Sequence, residues 1–224
     1  MNLFLGHSRV ERGERPVCPR FLNLYAYVLN NPLIHIDADG HIIDDSSLQK
    51  NKQYQKWKSE YLSHPKAKEQ WNALNDNKTL TVHMSWDSKG TQSLTSGYQW
   101  NKAGDLTSVN VSLAAKTGNV DYQMSAAAGY IHGATITDPA QRQAYVMAHE
   151  FGHVEYAETP GGHASLVQSE KDYSFTSQMF KQMGIQPALQ LPAVQQANQR
   201  LLDASQEREQ GADQRAWDIV GPQQ

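Results

Sequence analysis

The feature that most constrains this chain is the segment 144–154, in which His149 and His153 lie four residues apart and Glu150 follows the first histidine. On an α-helix, positions four apart are separated by about 40° around the axis and by one turn along it. Both imidazoles can therefore reach a single ion. Glu150 lies about 100° around the helix from His149, where a general base acting on water should stand. The spacing predicts a zinc site on a helix.

The residues around this segment favour a helix. Asp138 and Pro139 supply an N-cap and a proline at the first helical position, and the sequence Thr-Pro-Gly-Gly at 159–162 predicts the end of the element. An apolar stripe at helical spacing consists of Ala144, Met147, Ala148, Phe151 and Val154. We expect this stripe to be buried and the histidines to lie on another face. The alternatives are a chance spacing and structural histidines in the core.

The length, charge and cysteine content of the chain exclude several classes of protein. The chain has 224 residues, a formal net charge of −3 and a single cysteine, Cys18. This length suffices for one domain with a sizeable core, and one cysteine excludes an intrachain disulfide framework. Scattered basic residues disfavour binding to nucleic acid or to a membrane surface. Since neither a membrane span nor a signal peptide is found, we expect a soluble protein, cytoplasmic if expressed alone.

The N-terminal part of the chain carries a second informative pattern. Two short strands with Asn-Asn-Pro and Asp-Gly turns are predicted within residues 21–41. The sequence Asn-Leu-Tyr-Ala-Tyr-Val-Leu-Asn-Asn-Pro-Leu at 23–33 resembles the closing motif of the RHS/YD-repeat core in polymorphic toxin proteins, although an unrelated hairpin is the alternative. Ala38 stands between Asp37 and Asp39 where that family usually has proline, so the self-cleavage known in some members is not implied here.

This resemblance implies a division of the chain. Residues 1–42 would be the end of an RHS core with a linker, partly disordered, and residues 43–224 would be the effector domain that follows it. The chain would then be secreted or delivered as part of a larger RHS protein. A cognate immunity protein and the RHS core itself are the partners that such a domain implies.

Hydrophobic periodicity predicts the elements of the second part. Helices are expected at 46–75, broken at His64-Pro65, and at 163–183 and 193–220. Strands are expected at 80–86, at 98–100 and 109–113 as a hairpin, at 120–124 and at 129–136. Residues 89–96 are expected to form a flexible loop. The order of helix, sheet, metal helix and further helices predicts an α+β fold.

A catalytic zinc ion uses three protein ligands and keeps one position open for water. His163 is a minor candidate for the third ligand, because it lies beyond the Pro-Gly-Gly turn. Glu209 is favoured, because Glu209 and Asp213 project from one face of the last helix. Asp213 could then accept a hydrogen bond from the far ring nitrogen of a ligand histidine. The alternative is that both acids belong to a solvated charged face.

Two motifs together resemble the gluzincin metallopeptidases. His-Glu-Phe-Gly-His at 149–153 matches "HExGH", and residues 209–216 match the "ExxADxxA" element of several gluzincin families, including the prenyl-protein and heat-shock membrane proteases. Those families have membrane spans, which are not predicted here, so only the catalytic core is comparable. The small residues Gly152, Ala212 and Ala216 should allow the two helices to approach each other.

The resemblance implies a zincin-like fold, with a small antiparallel or mixed sheet, an active-site helix and a C-terminal ligand helix. It implies that His149, His153 and Glu209 bind Zn²⁺, that Glu150 is the general base, and that Asp213 supports a ligand.

A Tyr, His or Arg donor for the oxyanion is common among gluzincins. Tyr145, His132 and His163 are the candidates in this chain, with Tyr145 preferred. By analogy with the fold, residues 129–136 could bind an extended peptide by strand addition.

The function expected from these patterns is that of a zinc-dependent metalloendopeptidase, the toxin or effector domain of an RHS-repeat protein, which hydrolyses amide bonds with a zinc-activated water. One alternative is a metal-binding or interaction module without catalysis. A second is a zinc hydrolase of a non-protein amide such as peptidoglycan. A nuclease is disfavoured because the chain lacks a basic patch.

Overall fold

The structure is a computed structural model that describes residues 42–116 and 136–221. The RHS-like segment, the predicted strand at 120–124, His132 and nearly all of the predicted strand at 129–136 lie outside the described residues. The predicted division of the chain after residue 42 stays a prediction.

Six α-helices and four β-strands make up the described residues. The helices are α1 (Lys52–Tyr61), α2 (Pro65–Asn75), α3 (Pro139–Glu158), α4 (Pro160–Met183), α5 (Ile185–Leu189) and α6 (Pro192–Val220). The strands are β1 (Ile42–Asp44), β2 (Thr81–Asp87), β3 (Leu94–Trp100) and β4 (Leu106–Ala114). This content confirms the predicted α+β class.

The four strands form one mixed sheet in the order β1-β2-β4-β3. The β1–β2 and β2–β4 pairs are parallel, and β3 runs antiparallel to β4. Alternate residues of the central strands are buried, as Val82 and Met84 are on β2 and Val109 and Val111 on β4, so the sheet has one face towards the helices. Among the described strands, β3 occupies the edge next to β4.

A bulge in β3 changes which of its side chains face the helices. The register with β4 shifts between Ser96 and Gln99, and Gly97 has a positive φ of 67°. One extra residue reverses the alternation of a strand. Tyr98 therefore joins Thr95 on the side towards α3, although three positions separate them.

Several predicted boundaries are confirmed, and two are wrong. The break between α1 and α2 falls at Pro65, and the last helix ends at Val220, as predicted. Residues 94–96, predicted as loop, begin β3. The Thr-Pro-Gly-Gly segment ends α3 but also begins α4, because proline fits the first helical position and the Thr159 hydroxyl accepts a hydrogen bond from Gly162 N at 2.9 Å.

Helix α3 is covered by several other elements within the described residues. It begins as predicted, with the Asp138 carboxylate accepting a hydrogen bond from Gln141 N at 2.7 Å. Its Phe151 ring contacts the rings of Tyr61 and Trp71, with centroids 5.7 and 5.8 Å apart. All five residues from 144 to 148 are buried. The prediction of a single buried face is therefore too narrow, because α6 also covers the opposite face.

A polar network, buried at Tyr61 and Gln70 and exposed at Arg215, fixes α3 against α6 near the end of both helices. Arg215 on α6 donates two hydrogen bonds to Glu155 on α3, at 2.8 and 2.9 Å. Gln70 Nε2 also donates to Glu155 at 2.8 Å, and the Tyr61 hydroxyl donates to Gln70 Oε1 at 2.8 Å. Because four helices meet in this network, it restrains the angle at which α6 crosses α3.

Candidate metal centre

The site depends on a close approach between α3 and α6. A Cβ atom placed on Gly152 would lie 3.1 Å from the Cα of Ala212 and 3.4 Å from its Cβ. Ala212 and Ala216 are both buried in this interface. The prediction that these small residues allow the helices to approach is confirmed.

We expect Gly152→Ala to weaken the site, because the new methyl group meets the backbone of α6. Overpacking of this kind costs about 1–3 kcal/mol of unfolding free energy, and separating the helices moves Glu209 away from the histidines. Chemical denaturation and competition with a chromogenic zinc chelator measure the two effects. Gly211→Ala is the control, since its Cβ would meet nothing within 4 Å. Equal zinc affinity in wild type and Gly152→Ala would contradict the importance of this contact.

The close approach brings three metal-ligating side chains together. Glu209 Oε2 lies 3.2 Å from His149 Nε2 and 3.5 Å from His153 Nε2. The two imidazole rings are 4.8 Å apart between centroids and nearly perpendicular, at 88°. All three ligand atoms lie within 4.8 Å of one another. These three side chains could hold a metal ion.

The two separations between Glu209 and the histidines fit a tetrahedral ion. With metal–ligand bonds of about 2.0–2.2 Å, the ligand atoms of a tetrahedral zinc site lie roughly 3.3 Å apart. The separations of 3.2 and 3.5 Å bracket that value. The Glu209 side chain keeps 33% of its surface exposed, whereas that of His153 keeps 8%. The group is therefore open to solvent on the Glu209 side.

The charges of Glu209 and the two histidines stabilise one another. Burial alone would raise the pKa of Glu209, but hydrogen bonds and the positive field of both histidines hold it far below its usual range. Burial lowers the pKa of His149, but the Glu209 hydrogen bond and the charges of Glu150, Glu209 and Asp213 outweigh this and raise it. Glu209 favours a proton on the His149 ring, and a metal ion would replace that proton, so metal binding should release protons.

Glu150 lies beside the group and is held by the edge strand. The Thr95 hydroxyl on β3 is 2.7 Å from Glu150 Oε2 and 3.0 Å from the Glu150 carbonyl oxygen. Both side chains are buried. Burial raises the pKa of Glu150, against the opposing effects of His149, His153 and the Thr95 hydrogen bond. A raised pKa suits a carboxylate that must take up a proton near neutral pH.

Tyr145, predicted as an oxyanion donor, contacts Asp213 instead. Its fully buried hydroxyl donates to the Asp213 carboxylate and lies 2.8 Å from the Asp213 carbonyl oxygen. This pair joins α3 to α6 one turn away from the ligands. The geometry gives Tyr145 a role in positioning α6 and does not support it as an oxyanion donor.

The structure tests part of the predicted role of Asp213 as a residue that supports a ligand histidine. Its negative charge contributes to the raised pKa of His149, so it lies close enough to act on that ring. However, the buried His149 Nδ1 has no hydrogen-bond partner among the described residues. Of the two ligand histidines that the prediction allowed, His149 therefore does not donate a hydrogen bond from Nδ1 to Asp213 in this structure.

His163 lies apart from the His-His-Glu group. Its ring stacks on Trp100, with centroids 4.6 Å apart and an angle of 19° between the planes. Within the described residues, the structure places it against the end of β3 and not among the candidate ligands. Its predicted role as a minor candidate ligand is not supported.

Two residues near the site were not found by sequence reasoning, Thr95 and Tyr98. Tyr98 donates a hydrogen bond to the Thr95 carbonyl oxygen at 3.4 Å. Burial raises the pKa of Tyr98. The positive charge of Arg208 acts to lower this pKa, whereas the negative charges of Glu150 and Glu209 act to raise it. Neither residue belongs to a motif. Thr95 reaches the site through the pairing of β3 with β4, and Tyr98 shares its side of the strand because of the bulge at Gly97.

Comparisons of the chain with protein-family models, with curated proteins and with solved structures gave no match. None of the helices in residues 42–116 and 136–221 has both the length and the apolar character needed to span a membrane.

Proposed function

We propose that this protein is a zinc-dependent metalloendopeptidase. The observation that carries the proposal is the approach of Glu209 to His149 and His153, with a buried carboxylate, Glu150, beside them. Two imidazoles and one carboxylate are the ligand set of several zinc peptidases, which leave a fourth position open.

The arrangement of elements supports a zincin-like fold within this proposal. The mixed sheet has an antiparallel edge strand, β3, whose Thr95 contacts Glu150 on α3. A separate C-terminal helix, α6, supplies the third candidate ligand. These are the parts that a gluzincin-like catalytic core requires.

The residues of this chain have distinct roles in the proposed reaction. His149, His153 and Glu209 hold the ion, and Glu150 takes a proton from the attacking water and passes it to the leaving amine. When bound, zinc supplies a Lewis acid that makes water nucleophilic at neutral pH and polarises the scissile carbonyl. Because Glu150 is buried and held by Thr95, its carboxylate is oriented before the substrate arrives.

Zinc is the metal that this ligand set favours. Imidazole nitrogen suits zinc and several other transition metals, whereas magnesium and calcium prefer ligand sets of oxygen alone. The separations around Glu209 Oε2 fit tetrahedral coordination, which is the common geometry of zinc.

The substrate would lie along β3. Among the described residues β3 is paired only with β4, and an extended peptide can add to the free edge of a strand through main-chain hydrogen bonds. Leu94 at the start of β3 is 54% exposed, next to buried Thr95. The predicted substrate strand at 129–136 lies almost wholly outside the described residues, so β3 is the strand that the described structure favours.

The biological setting proposed here is that of an effector domain in an RHS-repeat protein. Support comes from the sequence at 23–33, which resembles the end of an RHS core. An effector of this kind should be toxic when expressed inside a susceptible cell, and a cognate immunity protein should relieve the toxicity.

The test is a proteome-wide comparison of new protein termini in cells that express the wild type or Glu150→Gln. We expect new termini with a recurrent residue pattern only in the wild type, because the variant keeps the metal site but lacks the base. Synthetic peptides that span those termini should be cleaved by purified protein, and a chelator should stop the cleavage. Identical termini in both cell populations would overturn the proposal.

A further inference from the structure

The contact between Thr95 and Glu150 has an unusual geometry. The Thr95 hydroxyl lies within hydrogen-bond distance of two acceptors on the same residue, Oε2 at 2.7 Å and the carbonyl oxygen at 3.0 Å. Thr95 is 8% exposed and Glu150 is 5% exposed. A hydroxyl carries one proton and can also accept hydrogen bonds, so it cannot donate fully to both oxygens at once.

Both acceptors belong to Glu150, so the Thr95 hydroxyl ties β3 to this one residue of α3. When the hydroxyl donates to Oε2, it fixes that carboxylate oxygen on the side of β3. When it turns to the carbonyl oxygen, it still holds the backbone of Glu150 against the strand. The second carboxylate oxygen, Oε1, is not an acceptor of this hydroxyl in either orientation.

Resting on the proposed peptidase function, we infer that Thr95 is a positioning residue for the general base Glu150. It fixes Oε2 on the side of β3 and leaves the other carboxylate oxygen, Oε1, to take the proton from water and pass it to the leaving amine. Because Thr95 belongs to the strand proposed to bind the substrate, it also sets the distance between that strand and the base.

The position of Thr95 in the sheet supports this inference. Its backbone pairs with Val111 on β4, and the Tyr98 hydroxyl donates to its carbonyl oxygen at 3.4 Å. The bulge that follows, at Gly97, keeps Tyr98 on the same side of the strand. The pairing with β4 and the Tyr98 hydrogen bond together restrain the backbone of Thr95. A residue that orients another side chain needs such a restraint.

The experiment compares Thr95→Val and Thr95→Ser with the wild type, using a peptide whose cleavage site comes from the terminus comparison. Valine has nearly the same shape as threonine but no hydroxyl, whereas serine keeps the hydroxyl. We expect Thr95→Val to lower kcat about 10- to 100-fold with KM changed less than about 3-fold, because a misdirected base affects the chemical step. Thr95→Ser should recover most of kcat.

Thr107→Val is the matched control, because the Thr107 hydroxyl donates to the Gln99 carbonyl at 3.1 Å and so joins β4 to β3 away from Glu150. Its kcat should match that of the wild type. Zinc content and melting temperature are measured for every variant, so that a folding defect in Thr95→Val is recognised. If Thr95→Val is misfolded, the kcat of Thr95→Ser relative to that of the wild type tests whether the hydroxyl is needed. The inference about Thr95 is overturned, and the proposed function is not, if Thr95→Val keeps the kcat of the wild type. The same holds if Thr95→Ser has no higher kcat than Thr95→Val at equal zinc content. A wild type that cleaves nothing overturns the proposed function with it.

Discussion

Glu150→Gln is expected to lower hydrolysis by about 10²- to 10⁴-fold, the range that loss of a general acid–base group produces. Glutamine has the shape of glutamate and can still contact the Thr95 hydroxyl, but it cannot accept a proton at neutral pH. Zinc should remain bound at wild-type stoichiometry, because Glu150 is not among the three candidate ligands. Cleavage rates with a site-derived peptide and elemental analysis of the purified variant measure the two quantities.

Glu158→Gln is the control for this prediction. It makes the same chemical change eight residues further along α3, at an exposed position that pairs with Asn77. Its activity should remain within about 2-fold of the wild type, since surface substitutions away from the site have small effects. Full activity in Glu150→Gln would show that another group accepts the proton.

Glu209→Ala is expected to weaken zinc binding by more than about 100-fold. Loss of a residue that only supports a ligand already costs about 10- to 100-fold in affinity, and Glu209 contacts both histidines directly, at 3.2 and 3.5 Å. Hydrolysis should be lost with the metal. Competition with a chromogenic chelator gives the affinity, and the rise in melting temperature on adding zinc gives an independent estimate.

Glu207→Ala removes a carboxylate of the same type from the same helix. Glu207 is exposed, so its loss should leave zinc affinity unchanged. If Glu209→Ala and Glu207→Ala bind zinc equally, Glu209 is not a ligand, whatever its distance from the two histidines.

The local parts of this site could be predicted from the sequence. His149 and His153 share a face because helical geometry fixes positions four apart, and Asp138-Pro139 marks where that helix begins. Glu209 could be chosen over His163 because Glu209 and Asp213 project from one helical face, and small residues on both helices favoured their approach. Each of these inferences uses only the regular geometry of a helix.

The contacts that cross between elements could not be predicted in this way. Thr95 reaches Glu150 from 55 residues earlier in the chain, and its orientation depends on the pairing of β3 with β4. The start of β3 at residues 94–96 lies where the sequence indicated a loop, directly before the bulge at Gly97. Gly, Ser and Thr are common in loops and bulges alike, so composition did not distinguish the two.

Tyr145 shows a second limit of sequence reasoning. It lies one turn before His149 and shares its face, which made its hydroxyl a reasonable oxyanion donor. However, position on a helix does not show which neighbouring element covers that face. Here α6 covers it, and the hydroxyl is bonded to Asp213. Tyr98 on β3 was not predicted as a site residue, but it lies close enough to Glu150 and Glu209 for their charges to raise its pKa.

The proposed reaction requires one metal ion bound between α3 and α6. Crystals of the zinc-loaded protein, with diffraction data collected on both sides of the zinc absorption edge, test it most directly. We predict one anomalous peak about 2.0–2.2 Å from His149 Nε2, His153 Nε2 and a carboxylate oxygen of Glu209. The account is contradicted if zinc-loaded crystals show no peak at that position, with the Glu209 carboxylate turned away from both histidines.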